Sequence, residues 1–186
     1  MPLPVTPSQT IGPFYGTALP FPGGADLAPA GHPGAVTLHG HVHDGEGAPV
    51  PDALLEFWQA APDGSLRGAP GSLHRDGTRF TGFARVPTAG DGHYALRTLL
   101  PGGAPYLALC LLVRGLTGHL FTRVYFRPPD DDPLLAALPP ARRATLLAAE
   151  ETDRPRSYRF DVRLRGGAET VFLDFSGQQG AGGGHT

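Results

Sequence analysis

The chain has 186 residues, and its fifteen basic residues are all arginine against seventeen acidic ones, for a formal net charge of −2. That balance gives no reason to expect nucleic acid or an anionic membrane as partner. The length suits one domain with a sizeable core. Gly (27) and Pro (21) together exceed a quarter of the residues, which composition alone would class as low-complexity; periodic apolar segments overrule this, and many short strands joined by turns account for both residue types. The start, Met1-Pro2-Leu3-Pro4-Val5, has neither a basic region nor a long apolar run, so no signal peptide is expected. No apolar stretch reaches bilayer-spanning length, and a soluble cytoplasmic protein is the expectation.

Thr6 to Tyr15 holds prolines at 7 and 13 and a glycine at 12, which predicts an extended arm bent at Gly12-Pro13. It ends in adjacent aromatics, Phe14 and Tyr15, which need a surface to bury against. Residues 16–34 read as loop. Val36 to His43 is the first clear strand, with Val36, Leu38 and Val42 on one face and Thr37, His39, His41 and His43 on the other. Three imidazoles at i, i+2 and i+4 can converge on Fe, Zn or Cu, or simply form a polar outer face.

Asp44-Gly45-Glu46-Gly47 is a hairpin-type turn leading towards a strand over Ala53 to Ala60, which places Phe57 and Trp58 in the core and Glu56 outward. Pro62-Asp63-Gly64 turns the chain and Ser65 to Asp76 is an irregular loop. Arg79 to Val86 and His93 to Leu99 are further strands, joined through Gly90-Asp91-Gly92.

Apolar side chains concentrate between Pro105 and Phe126. Tyr106 to Val113 is almost continuously apolar, as in a strand buried on both faces. Gly115-Leu116-Thr117-Gly118 allows a reversal, and His119, Phe121, Arg123 and Tyr125 then alternate with Leu120, Thr122, Val124 and Phe126. Cys110, the only cysteine, can make no internal disulfide and reads as a small buried hydrophobe. Arg114 closes the apolar run either as a solvated strand end or as a cation aimed at an anion.

Asp130-Asp131-Asp132 reads as a solvated turn, and Pro139 to Glu151 is the one helix candidate. Tyr158, Phe160, Val162 and Leu164 alternate with Ser157, Arg159, Asp161 and Arg163, and Gly166-Gly167 turns that strand into Glu169 to Phe175. The prediction is an all-β fold, an antiparallel β-sandwich of eight short strands with one short helix and long loops. Residues 1–34 form the arm and loop, 35–175 the sandwich, and 176–186 a Gly/Gln-rich tail expected to be disordered.

Several of these segments together resemble the intradiol ring-cleavage dioxygenases, on the branch that acts on protocatechuate. They are the arm from Thr6 to Tyr15, Gly40-His41-Val42-His43-Asp44-Gly45, Glu56-Phe57-Trp58-Gln59-Ala60, Asp91 to Thr98, Thr122-Arg123-Val124-Tyr125-Phe126, Tyr158 to Arg163 and Glu169 to Phe175. The resemblance implies a non-haem Fe(III) site held by two tyrosinates and two histidines. This chain lacks that set. Leu66 stands at the first tyrosine position, Gly102-Gly103-Ala104-Pro105 is a shortened version of the segment carrying the second, and Tyr106-Leu107-Ala108 replaces the His-x-His.

The pattern therefore resembles the family's α subunits, which bind no iron and pair with an iron-bearing β subunit in a hetero-oligomer. What it implies is O2-dependent cleavage of protocatechuate to 3-carboxy-cis,cis-muconate at a pocket whose Fe(III) the β subunit holds. By position, Thr10, Gly12, Pro13, Phe14 and Arg114 correspond to substrate-pocket residues, with Tyr15 beside Phe14; no catalytic residue and no metal ligand is expected on this chain. The alternatives are a self-sufficient metalloenzyme using His39, His41 and His43, or a non-enzymatic β-sandwich binding module.

Overall fold

Alternation along Ala35–His43 (β1) and Leu54–Trp58 (β2) organises the molecule, because each strand buries one face against the other across the sandwich. The structure is a computed structural model, and it describes residues 6–66 and 73–175. The remaining strands are Phe83–Pro87 (β3), His93–Leu99 (β4), Tyr106–Leu112 (β5), Leu120–Tyr125 (β6), Ala149–Glu150 (β7), Ser157–Arg159 (β8) and Val162–Arg163 (β9). One sheet runs β4-β1-β8-β7, with β9 also pairing β1; the other runs β3-β2-β5-β6. Between them Val36, Leu38, Val42, Tyr94, Leu96 and Phe160 meet Leu55, Phe57, Leu107, Leu109, Leu111 and Val124 in one apolar core.

The predicted sandwich is present, with one change of direction. β8 and β9 pair with β1 in parallel, whereas the other pairings are antiparallel. Parallel neighbours need a long crossover, and residues 126–156 supply it. The single strand predicted over Ser157 to Leu164 is split at Phe160-Asp161. There the Phe160 carbonyl approaches β1 so closely that a Cβ on Gly40 would lie 1.9 Å from its oxygen.

Other predicted elements shift for local reasons. β5 is not buried on both faces: Leu107, Leu109 and Leu111 point inward, while Tyr106, Ala108, Cys110 and Leu112 are half-buried on the outer side. The reversal is longer than four residues, spanning 113–119. Trp58 is not core, because alternation with the buried Phe57 turns it outward, 37% exposed and against the Phe83 ring. Glu169 to Phe175 forms a single bridge, Phe121 with Leu173, rather than a strand.

The described residues hold three one-turn helices, only one of them within the expected helix. Tyr15–Ala18 (α1) follows the arm, Pro133–Ala137 (α2) follows the acidic run, and Pro140–Ala144 (α3) is all that forms of the Pro139 to Glu151 candidate. Beyond α3 the backbone straightens so that Leu146 and Ala148 exchange hydrogen bonds with Tyr125 at the end of β6. The acidic run is not simply a solvated turn. Asp132 is buried and caps α2, accepting from the Leu134 and Leu135 N–H groups with proline at the first helical position. No helix among the described residues is long and apolar enough to cross a membrane. The expected disordered tail and the stretch 67–72 lie outside the described residues.

Candidate functional site

The β2/β5 ladder pairs Leu54 with Leu112, Glu56 with Cys110 and Trp58 with Ala108, so these residues share the outer face of their sheet. Continuing the register by two residues sets Asp52 opposite Arg114 at one end of that face. Their side chains meet there, with Arg114 Nη2 2.7 Å from Asp52 Oδ2. Asp52 had no signal in the sequence, because its partner lies in a distant turn brought alongside by the pairing of β2 with β5.

The arm docks at the same end. The Gly115 N–H, just past Arg114, donates to Thr10 Oγ1 at 2.7 Å. Gln9 and Ile11 of the arm face Val113, Leu116 and His119 of the hairpin tip across a cavity of about 110 Å³. The chain then turns at Gly12-Pro13 and the two aromatics part. Phe14 is 78% exposed, whereas Tyr15 is buried with no hydrogen-bond partner for its hydroxyl. Burial raises the Tyr15 phenol above its ordinary range, and the nearby Asp52 charge adds to this, partly offset by the Arg114 backbone N–H and guanidinium. Thr10, Tyr15 and Arg114 are thus brought together, Gly12 and Pro13 form the bend between them, and Phe14 projects away.

The other end of the face holds the positions at which the resemblance implies iron ligands. Tyr106 and Ala108 point outward there, and Leu66 is 69% exposed. The Arg123 guanidinium lies over the Tyr106 ring at 4.1 Å and donates to the Tyr125 hydroxyl at 3.1 Å; that hydroxyl donates to Asp132 Oδ2 at 2.8 Å. Burial pushes the Tyr125 phenol up to about 12, with Arg123 pulling against it and Asp132 adding to it. These residues do not fit Fe(III). A single phenol stacked under a guanidinium, an alanine and an exposed leucine do not make a set of two tyrosinates and two histidines.

The histidines of β1 are engaged singly. His39 Nε2 lies 3.0 Å from Glu151 Oε2, His41 Nδ1 3.9 Å from Asp161 Oδ1, and His43 Nδ1 3.2 Å from the Gly47 carbonyl oxygen. His93 of β4 joins their outer face, with its ring centroid 5.1 Å from that of His41. Burial lowers its pKa, helped by the charges of His41 and His39. Among the described residues no group of three or more His, Cys, Asp or Glu side chains is placed to hold a metal ion.

Comparison with known proteins places this geometry. Residues 12–111 match a family model described as Dioxygenase. The protocatechuate 3,4-dioxygenase alpha chain of Burkholderia cepacia is 40% identical over 91% of this chain and 96% of its own. That of Pseudomonas putida is 38% identical over 93% and 98%. The dioxygenase domain of a carbohydrate-binding fusion protein from Streptomyces sp. SirexAA-E superposes with a TM-score of 0.55 at 26% identity, covering 86% of this chain and 99% of that one. The chain belongs to the intradiol ring-cleavage dioxygenase family, on the branch of its protocatechuate 3,4-dioxygenase alpha chains.

Proposed function

We propose that this chain is the iron-free α subunit of a cytoplasmic protocatechuate 3,4-dioxygenase. Its partner is an Fe(III)-bearing β subunit, and its arm and Arg114 form part of the wall of the partner's substrate pocket. The observation that carries the reading is a separation along β5. The ligand-less positions Tyr106 and Ala108 lie at one end of the strand, and Arg114 lies just past the other. At about 3.3 Å per residue that is roughly 20 Å from Ala108 and roughly 26 Å from Tyr106, so Arg114 and the arm docked beside it cannot serve a centre at their own chain's Tyr106. They fit a centre brought by another chain.

In that pocket the Arg114 guanidinium meets the ring carboxylate of protocatechuate, and Thr10, Gly12, Pro13, Phe14 and Tyr15 shape the wall around it. Asp52 meets the guanidinium at Nη2, and Arg114 is itself more than half exposed, so it is accessible to a ligand. Substrate and O2 are converted to 3-carboxy-cis,cis-muconate, and this chain's share is positioning and exclusion of water.

The test is Arg114→Ala in the αβ complex. Losing a charge-assisted hydrogen bond of about 1.5–3 kcal/mol should lower kcat/KM for protocatechuate roughly ten- to hundredfold. Unsubstituted catechol, with no carboxylate, should lose much less. Equal losses on the two substrates would make Arg114 structural and overturn the pocket role.

A further inference from the structure

Arg114 is more than half exposed, yet it already holds an internal carboxylate. Asp52 faces it from the turn before β2, with Nη2 and Oδ2 2.7 Å apart, and is itself about one-third exposed. Arg114→Ala tests the cation, but a pocket built only to attract a carboxylate has no use for a second anion on that cation. The reaction supplies a reason. Protocatechuate enters with one carboxylate and O2; the ring C–C bond between the two hydroxylated carbons breaks, one oxygen atom goes to each of them, and both become carboxyl groups. At neutral pH the product carries three carboxylates where the substrate carried one. An unopposed guanidinium would hold the product harder than the substrate and slow its departure.

We infer that Asp52 is a specificity-determining counter-ion for Arg114, tuning the pocket to accept a monocarboxylate catechol and to reject the tricarboxylate formed from it. The inference rests on the pocket role proposed above. Three features of the chain support it. Asp52 and Arg114 sit in the turns just past the last pair of the β2/β5 ladder, Leu54 with Leu112, which brings the two turns side by side, and their side chains meet at 2.7 Å. The hydrogen bond from Gly115 N–H to Thr10 ties the adjoining backbone to the arm. The Asp52 charge also acts on the buried Tyr15 phenol at the end of the arm.

Repulsion between Asp52 and a bound anion grows with the number of charges on that anion and weakens in salt. The experiment is Asp52→Asn in the αβ complex, with the KM of protocatechuate and the inhibition constant of 3-carboxy-cis,cis-muconate measured at low and high ionic strength. Asp52→Glu serves as the charge-retaining control. Removing the charge should tighten product inhibition about three- to tenfold while lowering KM by about twofold or less. The difference should shrink at high salt, and Asp52→Glu should stay near wild type. An inhibition constant that is unchanged or raised, or one that moves by the same factor as KM, overturns the inference. The two readings fail separately. If Arg114→Ala leaves the protocatechuate-to-catechol ratio unchanged, the pocket role itself is lost. If Arg114→Ala lowers that ratio while Asp52→Asn is neutral, only the counter-ion role is lost.

Discussion

The guanidinium of Arg123 stacks over the ring of Tyr106, 4.1 Å from its centroid, and continues through Tyr125 to Asp132. This chain ties β5, β6 and the cap of α2 together by one cation and one carboxylate. Burial alone would raise the Asp132 carboxyl, but the N–H groups of Leu135 and Leu134, the Tyr125 hydroxyl and the Arg123 charge hold it below the ordinary range. Asp132→Ala removes a helix cap and leaves these donors without an acceptor, so a loss of about 2–4 kcal/mol is expected at pH 7. Because the folded pKa is depressed, that contribution is complete above the unfolded value near 4 and fades as pH falls through the folded one. Denaturant titrations of both proteins should show the gap narrowing below about pH 4; a constant gap would mean that the ionised carboxylate is not what stabilises this corner.

Tyr15 separates the arm from the sandwich. Its ring is buried while its hydroxyl, near the Arg114 backbone N–H, makes no well-formed hydrogen bond among the described residues, a combination that costs about 1–3 kcal/mol for the desolvated oxygen. In the isolated chain Tyr15→Phe should therefore leave the unfolding midpoint unchanged or raise it. Deletion of residues 1–13 should spare the fold, whereas deletion through Tyr15 should destabilise it by about 2–4 kcal/mol, as for other buried aromatics. A stability loss from Tyr15→Phe would reveal an acceptor within the chain itself.

Gly40 lies where β1 passes the Phe160 carbonyl, and an added Cβ would sit 1.9 Å from that oxygen and 2.6 Å from its carbon. Both obstacles are backbone, so neither side can give way cheaply. Gly40→Ala should cost about 3 kcal/mol or more, which lowers Tm by roughly 6–12 °C for a domain of this size. A shift below about 2 °C on a thermal scan would contradict this.

Burial, reinforced by the Glu56 carboxylate, pushes the Cys110 thiol up to about 11. Only the thiolate is alkylated, so iodoacetamide at pH 8 should react with Cys110 about a hundredfold more slowly than with free cysteine. Labelling at the free-cysteine rate would place the thiol in a far more open environment.

The strands were legible in the sequence wherever period-2 patterning coincided with a one-sided burial, as in β1 and β4. Trp58 was misplaced because a Phe-Trp pair looks equally apolar at both positions, and only pairing decides which one turns inward. The Asp-Pro step at 132–133 carried a readable cap signal, but its burial depends on the Tyr125 phenol, which comes from another strand. The Asp52–Arg114 pair was hidden for the same reason: it joins two turns that only the pairing of β2 with β5 brings together. What the sequence did show of the site was an absence, the missing ferric ligands, since that needs only residue identities at matched positions.

The parallel pairing of β8 and β9 with β1 has a consequence for how the molecule is made. β1 is synthesised well before two of its partners, β8 and β9, whose connecting Phe160 lies against Gly40. Until about residue 163 has been synthesised, one edge of β1 has no partner, and an open edge is a template for pairing with other chains. Contacts so distant in sequence also close slowly, because the intervening loop must be ordered before any pairing is gained. Completion of the β1 sheet is therefore expected to wait for β8 and β9 and to be aggregation-prone, with yield limited by how quickly those strands find β1.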